Sequence, residues 1–347
     1  MNAAAYTAVD KFRPHFDKVA SGGTLTEEEA ASAFNAIMDG GIPEVQLAGF
    51  LVAMKARGET VDEIAGAVRS MRGRMLTVTA PAGAIDVVGT GGDAKGTYNI
   101  STATAFVLAG AGVPVAKHGN RAVSSKSGAA DVLETLGVNL AATPQEAART
   151  LAAASIAFLF APAYHPAMRH AAPVRQGLKL RTIFNLLGPL SNPAGTRRQL
   201  IGVFAPQWVV PLAEVMRRLG ADHVWVVHGA DGLDELSTTG ETQVAELKDG
   251  KIREFTVTPG EAEVPAATLP NLLSGTPPES ASAIRQLLAG ERGAFRDIVI
   301  LNAAAAFIIA GRARGLGEGA ALAAASLDQG RAAAALDRLI ALCKAEP

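Results

Sequence analysis

Through residues 1–80 the apolar positions recur at helical spacing, as in Val45, Phe50, Leu51 and Met54, and the residues between the runs are those of helix ends. Thr26 with Glu29 and Thr60 with Glu63 have capping-box spacing, Pro43 suits a first helical position, and Gly40, Gly41 and Gly58 stand where helices stop. The pattern predicts a small helical unit. At Pro81 the texture changes. Ile85-Asp86-Val87-Val88 reads as a short apolar strand entering Gly89-Thr90-Gly91-Gly92-Asp93. A helix from about Thr102 to Gly110 follows, then a strand from Val113 to Ala116 and a helix from about Ser127 to Leu136. Next come a Thr143/Glu146 capping box with Pro144, its helix, and a strand from Ile156 to Phe160.

The alternation resumes with a strand from Leu200 to Phe204, a helix to Leu219 and a strand from His223 to Val227. Such an order predicts an α/β domain over 81–347, with a mostly parallel central sheet covered by helices. Two stretches depart from it. Residues 162–182 carry two inner prolines and many cationic or aromatic groups, and read as an excursion between strands, part of which joins the helical unit. Residues 241–257 read as a hairpin around Asp249-Gly250, and the chain from about Pro278 is helical. The run Ile298 to Ala310, interrupted by Asn302, is shorter than the ~20 residues that cross a bilayer and predicts a buried helix.

Composition narrows the classes. At 347 residues the chain suits two packed units, and 49% hydrophobic with 19% charged residues describes an ordered globular protein. A net charge of −1 without a block of one sign leaves no footprint for duplex nucleic acid or a membrane surface. Cys343 is the only cysteine, so neither an intramolecular disulfide nor a thiol zinc site is available. With no signal-like start, the expected location is the cytoplasm.

The chemistry concentrates in three segments. Gly89–Asp93 follows a strand and Asn99-Ile100-Ser101-Thr102 opens a helix; glycines admit close backbone approach to an anion, and a helix start supplies unpaired N–H donors. The competing reading is an ordinary turn and N-cap. Neither a Walker loop nor a dinucleotide fingerprint is present. Lys117 to Gly128 packs cations, hydroxyls and glycines between a strand and a helix, at the sheet edge where α/β enzymes bind ligands. Asp234-Glu235 follows another strand and offers hard oxygen ligands for Mg²⁺, although an isolated Asp-Glu pair is common on surfaces. Lone histidines such as His165, His170 and His228 read as packed or solvated groups.

Taken together, GTGGD at 89–93, NIST at 99–102, KHGNRAVSS at 117–125, NLLGPLSNP at 185–193 and DELS at 234–237 resemble the anthranilate phosphoribosyltransferases. The resemblance runs from about residue 7 to about residue 340. It implies a homodimer with a helical domain and an α/β domain, an active site at the hinge, and transfer of phosphoribosyl from phosphoribosyl pyrophosphate (PRPP) to anthranilate in tryptophan biosynthesis. It implies PRPP contacts at Gly89, Gly92, Asp93, Thr97, Asn99, Ser101, Thr102, Lys117, His118, Gly119, Asn120, Arg121, Ser124, Ser125 and Ala129. Where the family has a serine this chain has Ala129, which puts one sugar-phosphate contact in doubt. Anthranilate falls to Gly89, Asn120, Arg175, His118 and Gly188, and Mg²⁺, two ions per subunit, to Ser101, Asp234 and Glu235. No residue is singled out as a general base, because the aromatic amine is already neutral; transition-state stabilisation is assigned to Mg²⁺ and Lys117. Two rivals remain at this point, a pyrimidine nucleoside phosphorylase of the same fold and a catalytically silent relative that binds nucleic acid.

Overall fold

A computed structural model of the protein describes residues 3–122 and 127–344. The chain divides into two compact units, one of residues 1–76 and 162–193, the other of residues 77–161 and 194–347.

The first unit begins with α1 (Ala3–Ala20), α2 (Glu27–Met38), α3 (Glu44–Arg57) and α4 (Val61–Arg72). The capping boxes expected at Thr26/Glu29 and Thr60/Glu63 both form. Pro43 is the N-cap of α3, one residue earlier than expected. Glu63, fully buried, does more than cap: its carboxylate also accepts the Leu25 N–H at 3.0 Å and pairs with Arg57 at 2.6 Å. Helices α2 and α4 approach closely because Gly66 carries no side chain; a Cβ there would lie 2.3 Å from the Glu27 carbonyl oxygen.

In the second unit β1 (Ile85–Gly89), α5 (Ile100–Gly110), β2 (Val115–Gly119), α6 (Ala129–Leu136), α7 (Pro144–Ala154) and β3 (Ile156–Phe160) follow in order. The chain then returns to the first unit with α8 (Ala161–Tyr164), a short 3₁₀ turn, α9 (Ala172–Leu178) and α10 (Phe184–Leu187). Phe184 of α10 packs edge-on against Phe34 at 5.7 Å, and Phe34 and Phe12 each meet Phe50, so one aromatic chain ties the late segment to α1, α2 and α3.

Back in the second unit come β4 (Arg198–Gly202), α11 (Val209–Arg218), β5 (His223–Gly229), β6 (Thr242–Lys248) and β7 (Lys251–Val257), then α12 (Pro277–Leu288), α13 (Ala294–Ile309), α14 (Leu316–Asp328) and α15 (Arg331–Lys344). The sheet order is β3-β2-β1-β4-β5-β6-β7, parallel from β3 to β5 and antiparallel beyond. The α/β class with a mostly parallel sheet is therefore as the sequence predicts, and β6–β7 is the hairpin around Asp249-Gly250. Helix α13 is buried over most of its length, as expected for an apolar run shorter than a membrane span. No helix among the described residues is long and apolar enough to cross a membrane.

The strand order turns back at β1, which has β2 on one side and β4, entered only after β3, on the other. Ligand sites in open α/β sheets lie beyond the strand ends at such a reversal. There β1 and β4 pair along their whole length, from Ile85 with Arg198 to Gly89 with Gly202, whereas β1 and β2 register only at Ile85 with Val115. The buried Asp86 side chain of β1 accepts the His118 N–H of β2 at 3.1 Å, a donor that a continued ladder would have satisfied.

Candidate active site

Strands β1, β2, β4 and β5 each end on a glycine, at Gly89, Gly119, Gly202 and Gly229. The reason is visible at the reversal. A Cβ on Gly202 would lie 1.5 Å from the Asp234 carbonyl oxygen, and one on Gly89 would lie 2.3 Å from Asp234 Oδ2. The bare ends of β1 and β4 make the seat of Asp234. From it the carboxylate accepts the Gly91 N–H at 2.7 Å. The neighbouring Glu235 Oε1 accepts the Ser101 N–H at 3.1 Å, in the first turn of α5. The acidic pair is thus joined to both expected anion-binding segments through their backbone donors.

The 89–97 loop owes its form to left-handed residues, with φ of 66° at Gly91 and 79° at Gly92. Such conformations turn successive N–H groups toward one concavity, and only glycine adopts them without strain. Asp93 Oδ1 accepts the Lys95 N–H at 3.2 Å, and Thr97 bridges to Leu273, which ties the loop's far end to the chain before α12. Helix α5 begins earlier than expected, at Ile100, so Ser101 and Thr102 lie inside its first turn; Thr102 is 1% exposed and Ser101 half-buried. Asn99, the residue before the helix, donates from Nδ2 to the Ser127 carbonyl at 3.2 Å and accepts from Ser127 Oγ at 3.3 Å.

Strand β2 runs from Val115 to Gly119, two to three residues later than expected, so Lys117 is inside the strand and 3% exposed, and does not open the following loop. Its Nζ donates to the His118 carbonyl at 3.1 Å. Burial pushes its pKa down, while Asp86, Glu235 and Asp234, in that order, hold it up. Lys117 therefore compensates the acidic pair from within the sheet. His118 is also buried. Asn120 is exposed and accepts the Arg121 N–H at 2.7 Å. Arg121 spends its charge locally, on Asp131 at 2.8 Å and on both Glu134 oxygens at 2.8 and 3.0 Å. Asp131 Oδ2 accepts from Ala122 and Gly128 as well, which pins the segment to α6, where Ala129 is the first residue. Ser124 and Ser125 lie outside the described residues.

The acidic groups carry the electrostatic signature of a cation site. Burial, and then the charge of Asp93, pushes Asp234 up to about 7. Burial and the Asp234 charge push Glu235 well above the usual carboxylate range, and burial raises Asp93 too. Among the described residues no three acidic, histidine or cysteine side chains form a complete metal cage. An ion here would draw its remaining ligands from water or from a substrate's oxygens, the usual arrangement for Mg²⁺.

Arg175 and Gly188 belong to the helical unit. The Arg175 guanidinium is half-buried, lies 5.4 Å from the Phe184 ring centre, and has its pKa lowered by burial, with no carboxylate among the described residues near enough to oppose that. Unlike Arg121 it has a charge to spare. His165 and His228 are packed groups, as read from the sequence; His228 Nδ1 lies 2.7 Å from the Val203 carbonyl. Sequence reasoning passed over Asp86, Gly202 and the paired ends of β1 and β4. The available signals were a carboxylate inside an otherwise apolar strand and a glycine closing one.

Known proteins resemble this chain along nearly its whole length. A model described as the glycosyl transferase family, a/b domain, matches residues 82–333, and one described as the glycosyl transferase family, helical bundle domain, matches residues 13–75. Anthranilate phosphoribosyltransferase of Rhizobium johnstonii is 58% identical over 330 residues, 95% of this chain and 97% of that protein. The crystal structure of anthranilate phosphoribosyltransferase from Thermus thermophilus superposes with a TM-score of 0.91 at 46% identity, over 95% of this chain and 99% of that one. The Saccharomyces cerevisiae enzyme in complex with PRPP and Mg superposes with a TM-score of 0.87 at 25% identity, over 99% of this chain and 98% of that one. With both domain models matched and this identity sustained along nearly the full length, the chain belongs to the glycosyl transferase family and, within it, to the anthranilate phosphoribosyltransferases.

Proposed function

We propose that this chain transfers the phosphoribosyl group of PRPP to the amine of anthranilate, giving N-(5-phosphoribosyl)anthranilate and pyrophosphate, in tryptophan biosynthesis. The observation that carries this reading is the junction at the strand reversal, where Asp234 and Glu235 accept N–H groups from the glycine loop and from the first turn of α5. Two backbone anion-binding segments and a hard-oxygen pair in one place suit a pyrophosphate with its counter-ion.

Gly89, Gly92 and the start of α5 then hold the pyrophosphate through backbone donors, with Asp93, Thr97, Asn99, Ser101 and Thr102 shaping the concavity. Lys117 acts from behind Glu235 as a fixed positive charge and not as a surface ligand. Arg121 serves to brace the segment on α6. His118, Gly119, Ser124, Ser125 and the backbone of Ala129 complete the PRPP contacts carried over from the family. Arg175 receives the anthranilate carboxylate, for which its planar fork is suited, and Asn120, with Gly89 and Gly188, is assigned to the same substrate. Attack of the amine nitrogen on the anomeric carbon forms the C–N bond as the bond to pyrophosphate breaks, and the amine then gives up one proton to solvent. Alignment of the amine and stabilisation of the leaving group supply the rate enhancement.

Asp234 and Glu235 fit a divalent cation: burial raises both, the charge of Asp93 raises Asp234 further and that of Asp234 raises Glu235, and a cation would relieve this excess of negative charge. When bound, Mg²⁺ supplies charge neutralisation for the departing pyrophosphate. Two ions per subunit, a homodimeric assembly and a cytoplasmic location belong to the same proposal, the dimer being open to light scattering. The deciding assay mixes purified protein, Mg²⁺, PRPP and anthranilate and follows loss of anthranilate fluorescence. Activity that a chelator abolishes is expected. Phosphorolysis of thymidine in its place would overturn the reading.

A further inference from the structure

Asn302 sits in α13, whose neighbouring side chains from Ile298 to Ile309 are otherwise apolar, and it is fully buried. A buried amide is unfavourable unless it is hydrogen-bonded, and an aliphatic residue would suit this helix better. Its contacts supply the reason. Oδ1 accepts the Leu236 N–H at 3.0 Å, while Nδ2 donates to the Leu236 carbonyl at 2.8 Å and to the Ile298 carbonyl of its own helix at 2.9 Å. Both backbone groups of the residue that follows Glu235 are thus held by one side chain, itself fixed to a helix in the core. Before the pair, Asp231 closes the turn by accepting the Leu233 N–H at 3.1 Å and the Ser237 hydroxyl at 2.6 Å. Of these clamps only Asn302 reaches outside the turn. Because Asp234 is also seated on Gly89 and Gly202, the acidic pair is fixed from the strand ends below and from α13 behind.

We propose that Asn302 is a positioning residue for the cation and pyrophosphate site: by holding Leu236 it sets the direction of Glu235, and through the shared backbone that of Asp234. The inference rests on the transferase reading and concerns how tightly the pair holds a cation, not whether it is the pair that does so. An outer-shell partner of a metal ligand changes metal affinity by about tenfold to a hundredfold when removed. Removal of Asn302 should therefore weaken the cation site while leaving recognition of the aromatic substrate alone.

Mn²⁺ binding to the full-length protein, read from the loss of the free-ion electron paramagnetic resonance signal, tests this without turnover. Wild-type protein, Asn302→Leu, Asn302→Ala and Ser326→Ala are compared, and melting curves check folding. Ser326 is an equally buried control whose hydroxyl donates to the Val107 carbonyl at 2.7 Å, away from the acidic turn. The Asn302 variants are expected to bind Mn²⁺ about tenfold or more weakly, and to need correspondingly more Mg²⁺ for half-maximal rate, with the KM for anthranilate within about twofold. Ser326→Ala is expected to lower the melting temperature and leave Mn²⁺ affinity unchanged. Wild-type protein that binds no Mn²⁺ would overturn the reading of the site itself. Wild-type binding matched within about twofold by either folded Asn302 variant, an equal loss in Ser326→Ala, or failure of both Asn302 variants to fold would overturn the positioning role.

Discussion

Arg121 and Arg175 illustrate what the fold does to residues of one type. The resemblance assigns both to substrates, yet Arg121 is bound to Asp131 and Glu134 whereas Arg175 meets no carboxylate among the described residues and has its pKa lowered by burial. A half-buried guanidinium without a carboxylate is poised for an anionic partner, and a charge-assisted contact contributes about 1.5–3 kcal/mol. Arg175→Ala should therefore lower kcat/KM for anthranilate about tenfold to a hundredfold, with partial rescue by lysine. Calorimetry with PRPP and Mg²⁺ alone should hardly change, and an equal loss there would remove the assignment. Arg121→Ala should leave PRPP binding within about twofold, because an exposed ion pair contributes little and no free charge is lost. A large loss would restore Arg121 as a phosphate ligand. The sequence could propose either arginine; only neighbours distant in the chain separate them.

At the scale of elements, the strands and their terminal glycines determine where the chemistry is placed. Periodicity and capping boxes identify the helices because these signals are local, and Thr26, Thr60 and Thr143 all cap as their spacing predicts. Strand ends are less legible. Strand β2 extends through Lys117 and His118 because pairing with β3 continues to Gly119, a long-range interaction that local composition does not encode. Gly202 makes the strongest prediction here. A methyl group on it meets the backbone of Asp234, not a movable side-chain end, so Gly202→Ala must displace the acidic turn or strain the strand, at about 1–3 kcal/mol. We expect a lower melting temperature together with a raised Mg²⁺ requirement, measured by titrating the rate. A change in melting temperature alone would mean that the turn relaxes without moving its carboxylates.

Over the whole molecule, the acidic site should be felt as a pH-dependent instability of the metal-free protein. The pKa of Asp234 is raised to about 7 in the folded state, so the folded protein binds that proton more tightly than the unfolded chain does. Its contribution to stability is then unfavourable above the folded pKa and is relieved as pH falls through it. Asp234→Asn removes the effect. Without metal the variant should melt above wild type near about pH 8.5, and the gap should close toward about pH 5. Added Mg²⁺ at the higher pH should raise wild type and not the variant. Melting curves across that range check this, and a gap that widens on acidification would reverse the sign of the argument. The α/β class, the mostly parallel sheet and the order of motifs were legible in the sequence because helix caps, apolar periodicity and glycine loops are written in neighbouring residues. What the tertiary structure alone decided is which of those motifs act together. The bond from the His118 N–H to Asp86, the seat of Asp234 on Gly89 and Gly202, the retreat of Lys117 into the sheet and the hold of Asn302 on Leu236 all join residues far apart in the chain. Such contacts follow from strand order and close packing, and no local pattern of residue types specifies them.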